Sequence, residues 1–110
     1  MIKKVTNKDI KNGSFVVPDG VTEIGNHAFD YCTSLKKIII PEGVNEIGGW
    51  AFCRCKSLES IIIPEGVTKI GKMAFYGCKS LKKVSLPKKV KLGYSVFHRC
   101  HPHLKIEYRD

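Results

Sequence analysis

The stretch IIIPEGVNEIGGWAFCRCKSLES, residues 38–60, is followed without a gap by IIIPEGVTKIGKMAFYGCKSLKK, residues 61–83. The two segments have the same length, 23 residues, and agree at most positions. Self-similarity at a period of this size is typical of repeat proteins, in which each repeat is one structural unit that packs on the next. This pair of segments therefore predicts a solenoid.

A further copy lies on each side of the pair. FVVPDGVTEIGNHAFDYCTSLKK, residues 15–37, precedes it, and VSLPKKVKLGYSVFHRCHPHLKI, residues 84–106, follows it with one residue missing before its glycine. Proline, glycine, phenylalanine and cysteine keep their register through all four copies, at Pro18, Pro41, Pro64 and Pro87; Gly25, Gly48, Gly71 and Gly93; Phe29, Phe52, Phe75 and Phe97; and Cys32, Cys55, Cys78 and Cys100. We expect one domain over 1–110, with a cap and first strand in 1–17 and repeats at about 18–40, 41–63, 64–86 and 87–108.

The local pattern of each repeat predicts one strand and one short helical segment. In LKKIIIP, residues 35–41, apolar residues alternate before the proline, which removes a backbone donor and ends the strand. In WAFCRC, residues 50–55, Ala51, Phe52 and Cys55 fall on one face at helical spacing, which favours one or two turns of α- or 3₁₀-helix. The predicted fold is an α/β repeat solenoid.

A single 23-residue copy buries too little apolar surface to offset the entropy of ordering its chain. Stacking on a neighbouring copy is therefore required, at the spacing of about 4.8 Å between parallel strands. Like residues then lie over like residues. We expect columns of isoleucine, phenylalanine and cysteine in the interior.

The pattern L-x-x-I-x-I-P-x-x-V-x-x-I-G-x-x-A-F-x-x-C resembles the BspA-like, Treponema pallidum type, leucine-rich repeat family. The resemblance covers residues 15 to about 100 and weakens in the fourth copy, where Lys89 replaces the turn glycine and Val96 replaces alanine. It implies a right-handed leucine-rich-repeat coil with a parallel β-sheet on the concave side and short helical turns on the other side. It also implies recognition of proteins, often by surface adhesins.

Charge is unevenly distributed along the chain. The formal net charge is +9, and residues 1–55 hold seven basic and six acidic side chains, whereas residues 56–110 hold twelve and four. In a solenoid this asymmetry places a positive field at the C-terminal end, where we expect a partner with an acidic surface to bind. The first thirteen residues contain no apolar run typical of an export signal, so we expect a cytoplasmic chain with no membrane association.

Neither a metal site nor catalysis is favoured by the residues. The four cysteines in register are expected to be apolar plugs in the core. Cys53 breaks that pattern, and its helical phase predicts an outward or half-buried thiol. The run HRCHPH, residues 98–103, has the residue types of a zinc site, but Cys100 belongs to the inward column. We predict no catalytic residues, metal, cofactor or small-molecule substrate.

Two rows of variable residues are candidates for partner binding. The outward row of the sheet contains Val16, Ile39, Ile62, Ser85 and Glu107, beside a basic row of Lys37, Ser60, Lys83 and Lys105, with Lys36 and Lys82 adjacent. The exposed β-branched residues either form a binding patch or are present only because such residues favour strands. The lysines either contact a partner or only keep the protein soluble.

The predicted helical side carries His27, Trp50, Met73 and Ser95, flanked by Tyr31, Arg54, Tyr76 and Arg99. Tryptophan, tyrosine, methionine and arginine dominate interface hot spots. The alternative is that Trp50 and Met73 only cover the edge of the core.

The predicted function is a protein-interaction module, a rigid scaffold acting as a small inhibitor or adaptor on an acidic or nucleic-acid-contacting surface of a larger protein. A first alternative is direct RNA or DNA binding through Lys79, Lys82, Lys83, Lys88, Lys89, Lys91 and Arg99. A second is a fragment of a larger adhesin-like repeat protein.

Overall fold

The computed structural model describes residues 1–109 as a solenoid of about four turns built from parallel strands. A short 3₁₀-helix, Asn7–Asp9, lies in the N-terminal cap. Nine strands follow in chain order: β1 (Ser14–Val16), β2 (Glu23–Ile24), β3 (Lys37–Ile39), β4 (Glu46–Ile47), β5 (Ser60–Ile62), β6 (Lys69–Ile70), β7 (Lys83–Pro87), β8 (Lys91–Leu92) and β9 (Lys105–Arg109).

The strands form two faces rather than the one sheet that was expected. The even-numbered strands make a four-stranded parallel sheet in the order β2-β4-β6-β8, which we call the even sheet. The odd-numbered strands make the second face, the odd sheet, which is divided into β1-β3 and β5-β7-β9. Partners in both sheets are equivalent repeat positions, such as Ile24 beside Ile47 in the even sheet and Ile61 beside Val84 in the odd sheet. The predicted superposition of the coils is confirmed.

The interior contains the predicted phenylalanine column. The ring centroids of Phe29 and Phe52 are 5.0 Å apart, those of Phe52 and Phe75 are 5.1 Å apart, and both pairs are nearly parallel. Phe97 continues the stack at 5.5 Å but is only partly buried. Phe52 and Phe75 therefore each have a phenylalanine ring stacked on both faces.

Three cysteines of the column, Cys32, Cys55 and Cys78, are buried as predicted, whereas Cys100 is only partly buried. The column also has a polar role. The thiols of Cys55, Cys78 and Cys100 each donate to a phenylalanine carbonyl oxygen of the preceding coil, at 3.1 Å. Cys32 likewise donates to the Val5 carbonyl oxygen at 3.3 Å. A small side chain with a weak donor satisfies backbone acceptors that an alanine would leave without this bond.

The predicted helical segments are wrong. The third side of the solenoid consists of six-residue turns at 26–31, 49–54, 72–77 and 94–99, which we call the turn side. Every second backbone amide of the turn forms its hydrogen bond outside the turn: the Trp50, Phe52 and Arg54 N–H groups donate to carbonyl oxygens of the next coil. A helix would instead use those donors within its own turn. Hydrogen bonding between coils therefore displaces the local helix.

The two ends of the solenoid differ. At the N-terminal end Ile2 forms a parallel bridge with Ile24, and Val5 is buried after donating its N–H to the Ala28 carbonyl. The last coil instead exposes four large apolar side chains: Leu92, Tyr94, Ile106 and Tyr108. The apolar interior is therefore less well covered at the C-terminal end of the solenoid than at the N-terminal end.

The prediction of an outward or half-buried thiol at Cys53 is also wrong. Its side chain is only 8% exposed, because the position follows turn geometry and not helical phase. Burial raises the pKa of Cys53, and it raises the pKa of Cys32 to about 11. Both groups are therefore held as neutral, poorly nucleophilic thiols at neutral pH.

We expect Cys53 in the native protein to be alkylated by iodoacetamide at pH 7.5 about 100-fold more slowly than in the protein unfolded by urea, because reaction requires local opening. Quenched samples analysed by peptide mass spectrometry measure both rates. Raising the pH to 9 should accelerate the native reaction at least as much as the unfolded one, because the native protein also reacts through an open state whose exposed thiol has the ordinary, lower pKa. Equal rates in the two states would show that Cys53 is accessible.

Candidate protein-binding surface

Most of the candidate residues of the turn side occupy two special backbone positions. The second and sixth residues of each turn have left-handed φ angles near +55° to +75°: His27, Trp50, Met73 and Ser95, and Tyr31, Arg54, Gly77 and Arg99. A non-glycine residue in this region costs roughly 1 to 2 kcal/mol. Because the same two positions are left-handed in all four coils, this conformation belongs to the turn of the repeat and determines where these two rows of side chains lie.

Trp50 lies in a stack on this side. Its ring is 5.1 Å from that of His27 with an angle of 4° between the planes, and the Lys72 ammonium lies 4.9 Å from the ring centroid. The His27 Nδ1 atom is 2.9 Å from an Asp30 carboxylate oxygen. Trp50 is half-buried, so its faces are occupied while part of its ring remains in solvent.

A second stack alternates aromatic and cationic side chains. The Arg54 guanidinium carbon is 5.6 Å from the Tyr31 ring centroid and 5.1 Å from that of Tyr76, and Arg54 Nη1 donates to the Tyr31 hydroxyl at 2.9 Å. The His98 ring continues the stack 5.7 Å beyond Tyr76. The guanidinium is thus held in one orientation by three contacts.

Tyr76 belongs to a different row from the one predicted. It is the fifth residue of its turn, equivalent to Asp30, Cys53 and His98, whereas the sixth is Gly77. A Cβ atom at Gly77 would lie 3.0 Å from Arg54 Cγ. The absence of a side chain there leaves room for Arg54 to lie against Tyr76.

The odd-sheet candidates lie apart from these stacks. Ile39 and Ile62 are 51% and 69% exposed, in line with Val16 as predicted. No hydrogen-bonded strand pairing joins β3 to β5 within residues 1–109, and a groove of about 380 Å³ lies between them, lined by Lys37, Ile39, Ser60, Ile62 and Arg109 among others. The Arg109 guanidinium reaches the Ile63 carbonyl oxygen and, at 3.3 Å, the Glu65 carboxylate.

The basic row beside this groove is placed as predicted. Lys83 pairs with Ser60 on one side and with Lys105 on the other, and its ammonium lies 3.5 Å from the Glu107 carboxylate. Lys82 is exposed next to it. The candidate residues therefore form two separate surfaces, with Trp50, Tyr31, Arg54, Met73, Tyr76 and Arg99 on the turn side and Ile39, Ile62, Lys37, Lys82, Lys83 and Lys105 on the odd sheet.

Sequence reasoning missed several contributors to the turn side. Lys72 and His98 extend the two stacks, and Lys56 lines a pocket with Arg54 and Gly77. A signal for Lys56 was present, because C-K-S-L occurs in both central repeats and places a lysine after Cys55 and after Cys78.

The histidine-rich run forms a local arrangement. The His101 and His103 rings are 5.6 Å apart, and the His103 N–H donates to His101 Nδ1 at 3.0 Å. Among residues 1–109, no three metal-ligating side chains converge on one point. In the same range, no helix has the length and apolar character needed to cross a membrane.

Comparison with known proteins gives a consistent result. The family model described as BspA type Leucine rich repeat region (6 copies) matches residues 2–109. No curated protein matches the sequence. Among solved structures, a T. pallidum leucine-rich repeat protein is 37% identical with a TM-score of 0.81, over 94% of this chain and 50% of that one.

Two further solved structures are similar. A leucine-rich cell surface protein of Faecalibacterium prausnitzii is 32% identical with a TM-score of 0.61, over 91% of this chain and 33% of that one. A leucine-rich repeat protein of Bacteroides capillosus is 26% identical with a TM-score of 0.78, over 89% of this chain and 78% of that one. The chain thus spans half the length of the T. pallidum protein and a third of the F. prausnitzii protein.

Proposed function

The chain belongs to the BspA-type leucine-rich repeat family, and on that premise we propose that it is a rigid scaffold that binds a partner protein through its turn side. The observation that carries the proposal is the stack of Tyr31, Arg54, Tyr76 and His98. Aromatic and arginine side chains held in fixed orientations lose little conformational entropy on binding, which favours affinity. A scaffold of this kind needs no catalytic residues.

An acidic partner surface suits the charge of this side. Within residues 1–109, Arg54, Lys56, Lys79 and Arg99 have no carboxylate within salt-bridge distance. Uncompensated positive charge increases the rate of association with an acidic surface and disfavours basic partners. We propose a cytoplasmic inhibitor or adaptor that covers an acidic or nucleic-acid-contacting surface of a larger protein.

Capture of partners from the native host by immobilised protein tests this function. We expect Trp50→Ala combined with Tyr31→Ala to reduce the recovered partner about 10-fold or more, measured by quantitative mass spectrometry, because both remove aromatic contact area. The matched control is Ile39→Ser combined with Ile62→Ser on the odd sheet, which should leave recovery unchanged. If only the odd-sheet variant lost the partner, the binding surface would lie on the odd sheet and not on the turn side.

Nucleic-acid binding is the second candidate, favoured by further exposed basic residues of the C-terminal half. Lys88, Lys89 and Lys91 lie close together in the chain around the β7–β8 connection and are exposed. Phosphate contacts would make affinity for RNA or DNA fall steeply between 50 and 200 mM salt, by roughly 10³-fold or more for six contacts. Absent or salt-independent binding would eliminate this candidate.

A segment of a longer surface repeat protein is the third candidate. The exposed apolar side chains of the last coil favour it, since terminal repeats usually carry a polar outer face. The name of the F. prausnitzii protein, a leucine-rich cell surface protein, is in keeping with it. Concentration-dependent self-association in sedimentation experiments, removed by Tyr94→Ser and Tyr108→Ser, would support it.

A further inference from the structure

One turn-side position breaks the pattern of the other three coils and leaves a gap in the surface. The sixth turn residue is Tyr31, Arg54 and Arg99 in three coils, but Gly77 in the third. A pocket of about 300 Å³ lies there, lined by Arg54, Lys56, Tyr76, Gly77, Lys79 and Arg99. Three successive coils contribute to it.

The charge of the pocket is uniform. Four of its six lining residues are cationic and none is acidic, and within residues 1–109 none of the four forms a salt bridge. Bringing four like charges around one opening is unfavourable unless an anion compensates them. The missing side chain at Gly77 therefore provides the space for a ligand, and the surrounding cations indicate that this ligand is an anion.

The cationic groups suit a particular anion. Two arginine forks can each donate two hydrogen bonds to an oxyanion, and two lysines add point charges. Arg54 is already oriented by Tyr31 and Tyr76. A phosphate monoester carries nearly two negative charges and three acceptor oxygens, whereas a single carboxylate offers one charge and two oxygens. A phosphate group satisfies more of these donors than a carboxylate.

We propose that this pocket binds a phosphate monoester carried by a phosphorylated side chain of the partner protein. The source of the phosphate rests on the proposed function, whereas the phosphate chemistry of the pocket stands independently of it. The pocket provides a specific contact within a surface whose remaining contacts are aromatic.

The test uses the full chain and a neutral nonapeptide containing one central phosphoserine, with the same peptide unphosphorylated as the reference. Calorimetry at 50 mM salt is expected to show at least about 10-fold tighter binding of the phosphopeptide. Arg54→Gln with Arg99→Gln should weaken it about 10-fold. The matched control, Lys88→Gln with Lys89→Gln, removes equal charge outside the pocket and should change the Kd less than about 3-fold.

A third variant distinguishes binding in a shaped pocket from binding by diffuse positive charge. Gly77→Asn keeps all four cations, and asparagine tolerates the left-handed backbone, but its side chain fills the gap and its Cβ atom, 3.0 Å from Arg54 Cγ, shifts Arg54. It should weaken phosphopeptide binding about 10-fold, with a circular dichroism spectrum and urea midpoint close to wild type showing that it is folded. Unchanged binding by folded Gly77→Asn, or equal weakening by the control, would overturn the pocket.

Two other probes address the source of the phosphate. Inorganic phosphate should compete with the peptide only at millimolar concentration, because it lacks the peptide's additional contacts. Phosphatidylcholine vesicles containing phosphatidylinositol 4-phosphate should bind more weakly than the peptide. Tighter binding to the vesicles would overturn the assignment to a protein partner, whereas equal binding of phosphorylated and unphosphorylated peptide would overturn the phosphate site itself. Neither result decides whether the Trp50 and Tyr31 surface captures a protein.

Discussion

Replacement of Phe52 by alanine is expected to lower the free energy of unfolding by about 3 to 5 kcal/mol. The ring is completely buried and is stacked on Phe29 at 5.0 Å and on Phe75 at 5.1 Å, so both neighbouring coils lose contacts. A cavity between coils cannot close without shortening the hydrogen bonds that set their spacing. Urea denaturation followed by circular dichroism measures the change.

The matched control for this prediction is Phe97→Ala. Phe97 is only partly buried and has one stacking neighbour in its column, at 5.5 Å. The same chemical change should therefore cost about half as much or less. Equal losses at the two positions would mean that stacking on both faces does not determine the stability of the column.

Gly71→Ala is expected to destabilise the protein by about 3 kcal/mol, because the added methyl group has no room in the tightly packed backbone. A Cβ atom at this position would lie 2.4 Å from the Gly49 backbone nitrogen and 2.8 Å from the Gly48 carbonyl carbon. Backbone atoms of the adjacent coil cannot rotate away as a side chain does. The coils must separate, which strains the ladder on the even sheet beside them.

The control for this substitution is Gly43→Ala in the preceding repeat. A Cβ atom there would meet only the Val21 carbonyl oxygen, at 3.7 Å, and the backbone is not left-handed. The variant should be as stable as wild type or more stable by up to about 1 kcal/mol, because alanine restricts the unfolded chain. Thermal and urea unfolding of both variants give the comparison, and a stable Gly71→Ala protein would contradict the close approach.

The binding residues were less accessible to sequence reasoning than the core. The rows of Trp50 and Arg54 were identified because variable positions stand out against a constant repeat. Tyr76 was assigned to the wrong row, because the alignment shows that Gly77 is different but not that a neighbouring side chain comes to lie beside Arg54. Lys56 was not predicted, and Lys79 was grouped with Arg99 only in a long basic set for nucleic-acid binding, since a pocket that draws on three coils has no counterpart in one linear motif.

The sequence by itself determined the 23-residue register, the stacking of equivalent residues and the interior columns of phenylalanine and cysteine, because these follow from repetition and the need to bury apolar surface. Only the tertiary structure decided that WAFCRC forms a turn, that Cys53 is buried, and that the odd sheet divides between β3 and β5. These features depend on which backbone hydrogen bonds form to the next coil and which do not. A local pattern records the preference of a segment in isolation, whereas its backbone donors here are satisfied by a neighbour one repeat away in the chain.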